Sequence, residues 1–458
     1  MKKSIFLASG VFGLVVVVAL GGRLVAAADA GDDAVQMIVT LLHDKDKEVR
    51  ALGLQQVREE AKGPAATRRF VAALPALPPA GQVELLDALA DRGDNAARPA
   101  LLEMQHSADE QVRAAALRAL GPLGSAADVP LLVSALAAVG EPEKTAAQGS
   151  LVRLRGEDVN AAIAAAMKGA KPEIRAELVN VLALRRATQS LPQILEAGGD
   201  ADAVVRSAAV AALGQLAGPA QIPGMLKIVL NAEEGPPREA AEKAVMFVCN
   251  RIEDPSRRGG PLLAALAQLG EDDQTALLPT LGRVGGPAAL KIVEAAMAAK
   301  SPSRQEAGIR ALCNWPDASV AAGLLNLAQT AGDAGQRLLA LRALIRVAAL
   351  PDRQRSDAER LALLKKAMAM ATRGEERKLV LRRCRAVRTM ESLRFVAPYL
   401  EQPEYAQEAC ATVVELAHHR KLREPNKAEF DPILDAVIRI SKDADAVDRA
   451  KRYRKGQT

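Results

Sequence analysis

The sequence predicts an all-α fold, a right-handed α-α superhelix (solenoid) of about twelve two-helix repeats, and three observations carry that prediction. The chain has 458 residues, more than one ordinary hydrophobic core organises. Hydrophobic residues make up 49% of it but aromatic residues only 2%, so the interior is built from Ala, Leu and Val, which suit closely packed helices. Its 33 Gly and 25 Pro are spread along the whole length, as regular punctuation is and as a single linker is not.

The first element is not part of the array. Lys2 and Lys3 precede an uncharged run, Ile5 to Leu20, shorter than the ~20 residues a membrane-spanning helix needs. Small residues at Ala26 and Ala28 then fit a cleavage site before Asp29. Residues 1–28 therefore read as a secretory signal and residues 29–458 as an exported chain, periplasmic or secreted. An uncleaved run would instead anchor it to a membrane. Loss of Lys2, Lys3 and Arg23 would halve the formal net charge of +6, so the basic balance is no strong argument about partners.

From there the chain repeats. Equivalent positions fall at Arg50, Gln82, Arg113, Lys144, Arg175, Arg206, Arg238, Gln274, Gln305, Arg337, Arg377 and Gln407. They are about 31 residues apart, with longer steps before Gln274 and Arg377. Seven residues after each anchor stand Val57, Leu89, Leu120, Leu151, Leu182, Leu213, Val245, Leu281, Leu312, Leu344, Cys384 and Val414. Offset three is small or aliphatic throughout. At 100° per residue these offsets share one narrow arc, so every anchor heads a helix with one buried stripe, and offsets two, five and nine lie on the opposite arc.

A shorter apolar segment precedes each anchor, as in "RPALLEM", "VPLLVSAL", "LPQILEAG" and "IPGMLKIVL". Pro99, Pro130, Pro192 and Pro223 open these first helices, where a missing N–H costs nothing. Asp46, Asp109, Asp202 and Asp333, each four residues before an anchor, are placed to cap the second helices, and Ser301 before Pro302 is expected to do the same. The stretches "ALGPLG", "ALGQLAG" and "TLGRVGG" end those helices, with glycine expected to supply left-handed turns. Past Pro432 a last helix, "PILDAVIRI", precedes a polar stretch read as a cap and basic tail.

Two-helix units with a "D-x-x-x-R-x-x-A-x-x-A-L-G" second helix resemble HEAT repeats, and the short glycine-ended form is similar to the subgroup named after phycobilisome lyases. The resemblance covers about residues 34 to 417. It implies stacked units with a continuous core, second helices lining the inner curve, and a binding scaffold; an enzyme by analogy with bilin lyases is the weaker implication. The anchor Arg, lying near the core, is expected to pair with a carboxylate or carbonyl of the adjoining unit.

No catalytic, cofactor or metal set emerges. His418 and His419 are adjacent and cannot form a one-face i, i+4 pair, while His43 and His106 fall at ends of first helices. Cys249, Cys313, Cys384 and Cys410 lie on or beside the buried stripe and read as small core residues, with a disulfide left open. The candidate binding residues are Lys243, Arg310, Arg342 and Arg382 at offset five, with Arg346 one turn beyond Arg342. Together they form a basic stripe in the later repeats where earlier ones carry Gln55, Asp87, Arg118, Gly149 and Asn180. The stripe suggests a protein partner with an acidic segment, or an acidic polymer. Export and the scarcity of aromatic side chains argue against nucleic acid.

Overall fold

The computed structural model describes residues 27–457 except 139 and 353, with side chains from residue 33 onward. Most of the segment read as a secretory signal lies outside the described residues. Among the described residues all regular structure is helical, and no helix is long and apolar enough to cross a membrane. The chain divides into two compact units, residues 1–162 and 163–458, with the helix Val159–Ala166 at the boundary.

In the first unit, Lys47–Glu59, Pro79–Arg92, Glu110–Leu123 and Glu141–Arg153 are the second helices, each beginning at or a few residues before its anchor. In the second unit the corresponding helices include Pro172–Leu184, Ala203–Leu216, Pro236–Asn250, Pro302–Cys313, Ala334–Ala348, Gly374–Cys384 and Ala406–His418. Within each unit a second helix packs on the first helix of its own repeat and on neighbouring second helices. This is an α-α solenoid of stacked helical pairs. All twelve residues at offset seven are buried, from Val57 to Val414, and so are all twelve at offset three, from Gly53 to Cys410. The four cysteines are buried and free.

Local chemistry explains the breaks. Pro99, Pro130, Pro192 and Pro223 each sit in the first turn of a first helix, just after a short 3-10 turn. Asp46, Asp109, Asp202 and Asp333 accept backbone N–H groups at the starts of their second helices. Ser301 does not: its hydroxyl pairs with Ser303 Oγ at 3.0 Å, and Pro302 opens that helix without a side-chain cap.

The anchors do something more local than expected. Arg50, Arg113, Arg206 and Arg337 each donate from Nη1 to the carbonyls five and six residues earlier, tying the loop between the two helices of their own repeat. Gln274 reaches the equivalent carbonyl of Leu269, five residues earlier, through Nε2, whereas Gln82 and Gln305 donate farther back, each to a carbonyl eight residues earlier: Leu74 O in the preceding 3-10 turn and Met297 O at the end of the preceding helix. Contacts to the adjoining repeat exist beside these, as Arg113 with Glu143 at 2.7 Å and Arg175 with Asp200 at 2.7 Å.

The glycine expectation holds only in part. Gly285 and Gly286 adopt φ of +74° and +99°, the left-handed region that an L side chain avoids. Gly121 and Gly214 stay inside their helices, and Gly124 and Gly218 are extended. At Gly121 and Gly282 the missing side chain permits close helix packing: an added methyl would sit 3.3 Å from Ser150 Cα in the first case and 2.6 Å from Ala311 Cα in the second. The stretch read as a basic tail forms a further helix, Ala444–Arg454, packed on Lys427–Ile440 and Ala406–His418 and fixed by the buried Tyr453.

Candidate binding face

The outward arc of the second helices is a surface of paired charges. In the first unit Arg118 holds Asp87 of the preceding second helix at 3.0 Å. In the second unit Arg342 donates from Nε and Nη2 to one oxygen of Glu376 at 2.9 and 2.7 Å, and Glu376 is only 1% exposed. Arg382 pairs with Glu408 at 2.7 Å, which raises the guanidinium pKa. Arg310 pairs with Glu306 at 3.1 Å and Lys243 with Glu239 at 3.4 Å, both one turn apart on their own helices. Each of these four basic side chains remains about half exposed while engaged.

Arg346 belongs to another set. Its Nη2 donates to the carbonyls of Cys313 and Trp315, at the end of the preceding second helix, at 3.0 and 2.8 Å. Burial lowers its pKa, with Arg383 nearby, and burial pushes the Cys313 thiol up to about 12. Arg251 caps the end of Ala203–Leu216 in the same manner, through Gly214 O and Ala217 O. A cation at a helix C-terminus is favoured by the helix dipole, so this placement is stabilising.

Sequence reasoning missed a concave feature of this face. The second helix of the Gln274 repeat is broken into Glu271–Ala276 and Leu278–Val284, because Pro279 has no N–H to offer the carbonyl four residues earlier. Arg238 of the preceding repeat donates to Ala276 O at 2.9 Å beside the break. Farther along, Gly282 lets Leu278–Val284 touch the backbone of Pro302–Cys313. The broken helix thus forms a floor of small residues, Thr275, Ala276 and Pro279, between long side chains on its two neighbours.

The result is a cleft of about 780 Å³, within the usual ~300–1,000 Å³ of ligand sites. Five carboxylates line it, Glu234, Glu239, Glu242, Asp272 and Glu306, against three guanidiniums, Arg238, Arg283 and Arg310. Leu339, 40% exposed, stands at its edge. Arg283 and Glu242 form a nearly buried pair at 2.7 Å. Of the candidates named from the stripe, only Arg310 lines the cleft. The longer step before Gln274, together with proline where neighbouring repeats carry Lys243 and Arg310, was the available signal.

Exposed apolar side chains share the same arc. Leu184 and Phe247 stand at offset nine and Leu339 at offset two, and a methyl built on Gly214 would lie 3.7 Å from the Phe247 ring.

A profile of HEAT repeats matches residues 67–151 and 159–246. No curated protein matches the sequence significantly. Among solved structures the chain is similar to the karyopherin Kap121p bound to the extreme C-terminus of the protein phosphatase Cdc14p, at 12% identity and TM-score 0.49, over 93% of this chain and 54% of that one. It is similar to the structure in which Kap95p binding induces the switch loops of RanGDP to adopt the GTP-bound conformation, at 15% identity and TM-score 0.47, over 92% and 65%. Human deoxyhypusine hydroxylase in complex with glycerol is matched at 16% identity and TM-score 0.24, over 63% of this chain and 98% of that one. The chain spans about half the length of the Kap121p chain. The profile matches identify HEAT repeats over residues 67–151 and 159–246, and stacked helical pairs run through both units.

Proposed function

We propose that the protein is an exported, non-catalytic scaffold that holds another protein along the second-helix face of its second unit. The observation that carries this reading is the arc itself: Leu184, Phe247 and Leu339 lie exposed on it, and Leu339 also lines a formed cleft. An acidic segment of the partner would meet the outer N–H groups of Arg310, Arg342 and Arg382, each of which has donors beyond those its own carboxylate uses. Because those cations are already paired, the stripe exerts little long-range field, which weighs against the acidic-polymer reading.

Fractionation of cells carrying the tagged full chain tests export, with recovery outside the cytoplasm expected and cytoplasmic recovery contradicting it. Titration with a sulfated polysaccharide at rising salt separates the two partner classes. Weak binding at every salt concentration is expected here; tight binding that falls steeply with salt would replace the scaffold by a polyanion binder.

A further inference from the structure

We infer that the cleft over the Pro279 break is a docking site for a basic side chain of an extended partner segment, the basic residue being followed by an apolar one. The inference rests on the second-helix face being the binding face. It comes from an inventory of charge. Arg283 is spent on Glu242, Arg310 on Glu306, and Arg238 on the carbonyl of Ala276. Glu239 has only Lys243, at 3.4 Å in an exposed pair of the kind that contributes little. Glu234 and Asp272 have no ion-pair partner among the described residues. At offset five of the later repeats Arg342 and Arg382 each meet a carboxylate of the next repeat; in the cleft the balance is reversed, and the exposed carboxylates of Glu234 and Asp272 are left over.

An ammonium or guanidinium supplied by the ligand completes the set. Its aliphatic stem would lie along Ala276, Pro279 and Ala307, as Lys and Arg stems do on apolar surface. Leu339 at the edge offers contact to the neighbouring apolar residue, a feature that a polypeptide uses and a free polyamine does not. A segment that places its basic residue in the cleft and acidic residues against Arg342 and Arg382 satisfies both parts of the face.

The test uses the full chain and a fluorescent Gly-Ser octapeptide carrying two Arg-Leu pairs, its Glu-Leu counterpart, and spermine as competitor. The Arg-Leu peptide is expected to bind and the Glu-Leu peptide not. E234Q with D272N is expected to weaken Arg-Leu binding at least tenfold with an unchanged melting temperature. Ala307→Leu, which narrows the cleft from the Pro302–Cys313 side without removing a carboxylate, is expected to weaken it similarly. Leu339→Ser is expected to weaken peptide binding several-fold and leave spermine binding unchanged. Absence of Arg-Leu binding, preference for Glu-Leu, or indifference to E234Q/D272N overturns the inference, and indifference of the peptide to Leu339→Ser overturns the polypeptide in favour of a small polycation. If a crosslinker at Phe247 still captures a partner while the peptide assay fails, the cleft assignment alone is lost and the scaffold stands.

Discussion

Two seams between second helices, each marked by a proline, have opposite outcomes. In the first unit Pro122 falls in the last turn of Glu110–Leu123, so the helix continues to its end. The carbonyl of Arg118, deprived of its helical donor, instead takes Ser150 Oγ at 3.3 Å and Arg153 Nη2 at 3.3 Å from the next repeat. The seam is stitched shut. In the second unit Pro279 falls four residues earlier along its helix and divides it, and only one end of the seam, at Gly282, stays in backbone contact with its neighbour. The other end opens into the cleft. The same residue type thus makes a joint or a site according to which turn of the second helix it occupies.

The equivalent glycines, eight residues after their anchors, give the largest test of that contrast. A methyl at Gly282 would overlap the carbonyl oxygen of Ala311 and lie 2.6 Å from its Cα, with backbone on both sides. Gly282→Ala is expected to cost about 3 kcal/mol or more in urea unfolding. Gly121→Ala meets mainly the flexible Arg153 side chain at 3.1 Å, and its cost is expected to be about 1 kcal/mol. Gly214→Ala finds nothing closer than 3.5 Å and is expected to be neutral or to gain up to about 1 kcal/mol from helix propensity. Equal effects at the three positions would mean that the seams are alike.

Next in size is Arg342→Ala. It leaves Glu376 buried with neither oxygen paired, since the second oxygen of that carboxylate has no partner even with Arg342 present. A loss of about 2 kcal/mol is expected, reduced from the value for a fully buried pair because the arginine is half exposed. Double substitution with Glu376→Gln should recover part of it. Reversal of Arg342 is therefore a poor probe of binding, whereas Arg310 is a good one.

Much of this was legible in the sequence. The buried stripe, the Asp caps and the proline openings follow from spacing alone, because each depends on residues of one repeat, and all twelve residues at offset seven proved buried. The partners of the stripe were not legible. Arg342 meets the residue just before the next anchor, Arg382 the one just after, and Arg118 the equivalent position of the preceding repeat, so no single offset links them. The cleft was harder still. It needs three successive repeats, one broken by Pro279 and drawn against Ala311 at Gly282, before Glu234 and Asp272 share a space.

Acid gives a smaller contrast. The hydrogen bond from Arg175 holds the Asp200 carboxyl below its usual range, with further help from the Asp202 N–H. A depressed carboxyl contributes stability that is complete above its unfolded value, about 3.9, and is lost as pH falls through the lower folded value. Asp200→Asn is expected to lower stability at neutral pH and to flatten the dependence below about pH 4; an unchanged slope would remove this pair from the acid response. Smallest of all is Arg310→Ala, which breaks an exposed pair one helical turn apart and is expected to change stability by no more than about 0.5 kcal/mol.

The claim on which the functional account turns is that partners meet the second helices and not the first. Photo-crosslinking amino acids placed singly at Phe247, on a second helix, and at Ile292, on the first helix Pro287–Met297, compare the two faces in one chain, both positions being exposed. The account predicts capture of the same protein partner from position 247 and none from 292. Capture from 292 with none from 247 would contradict it.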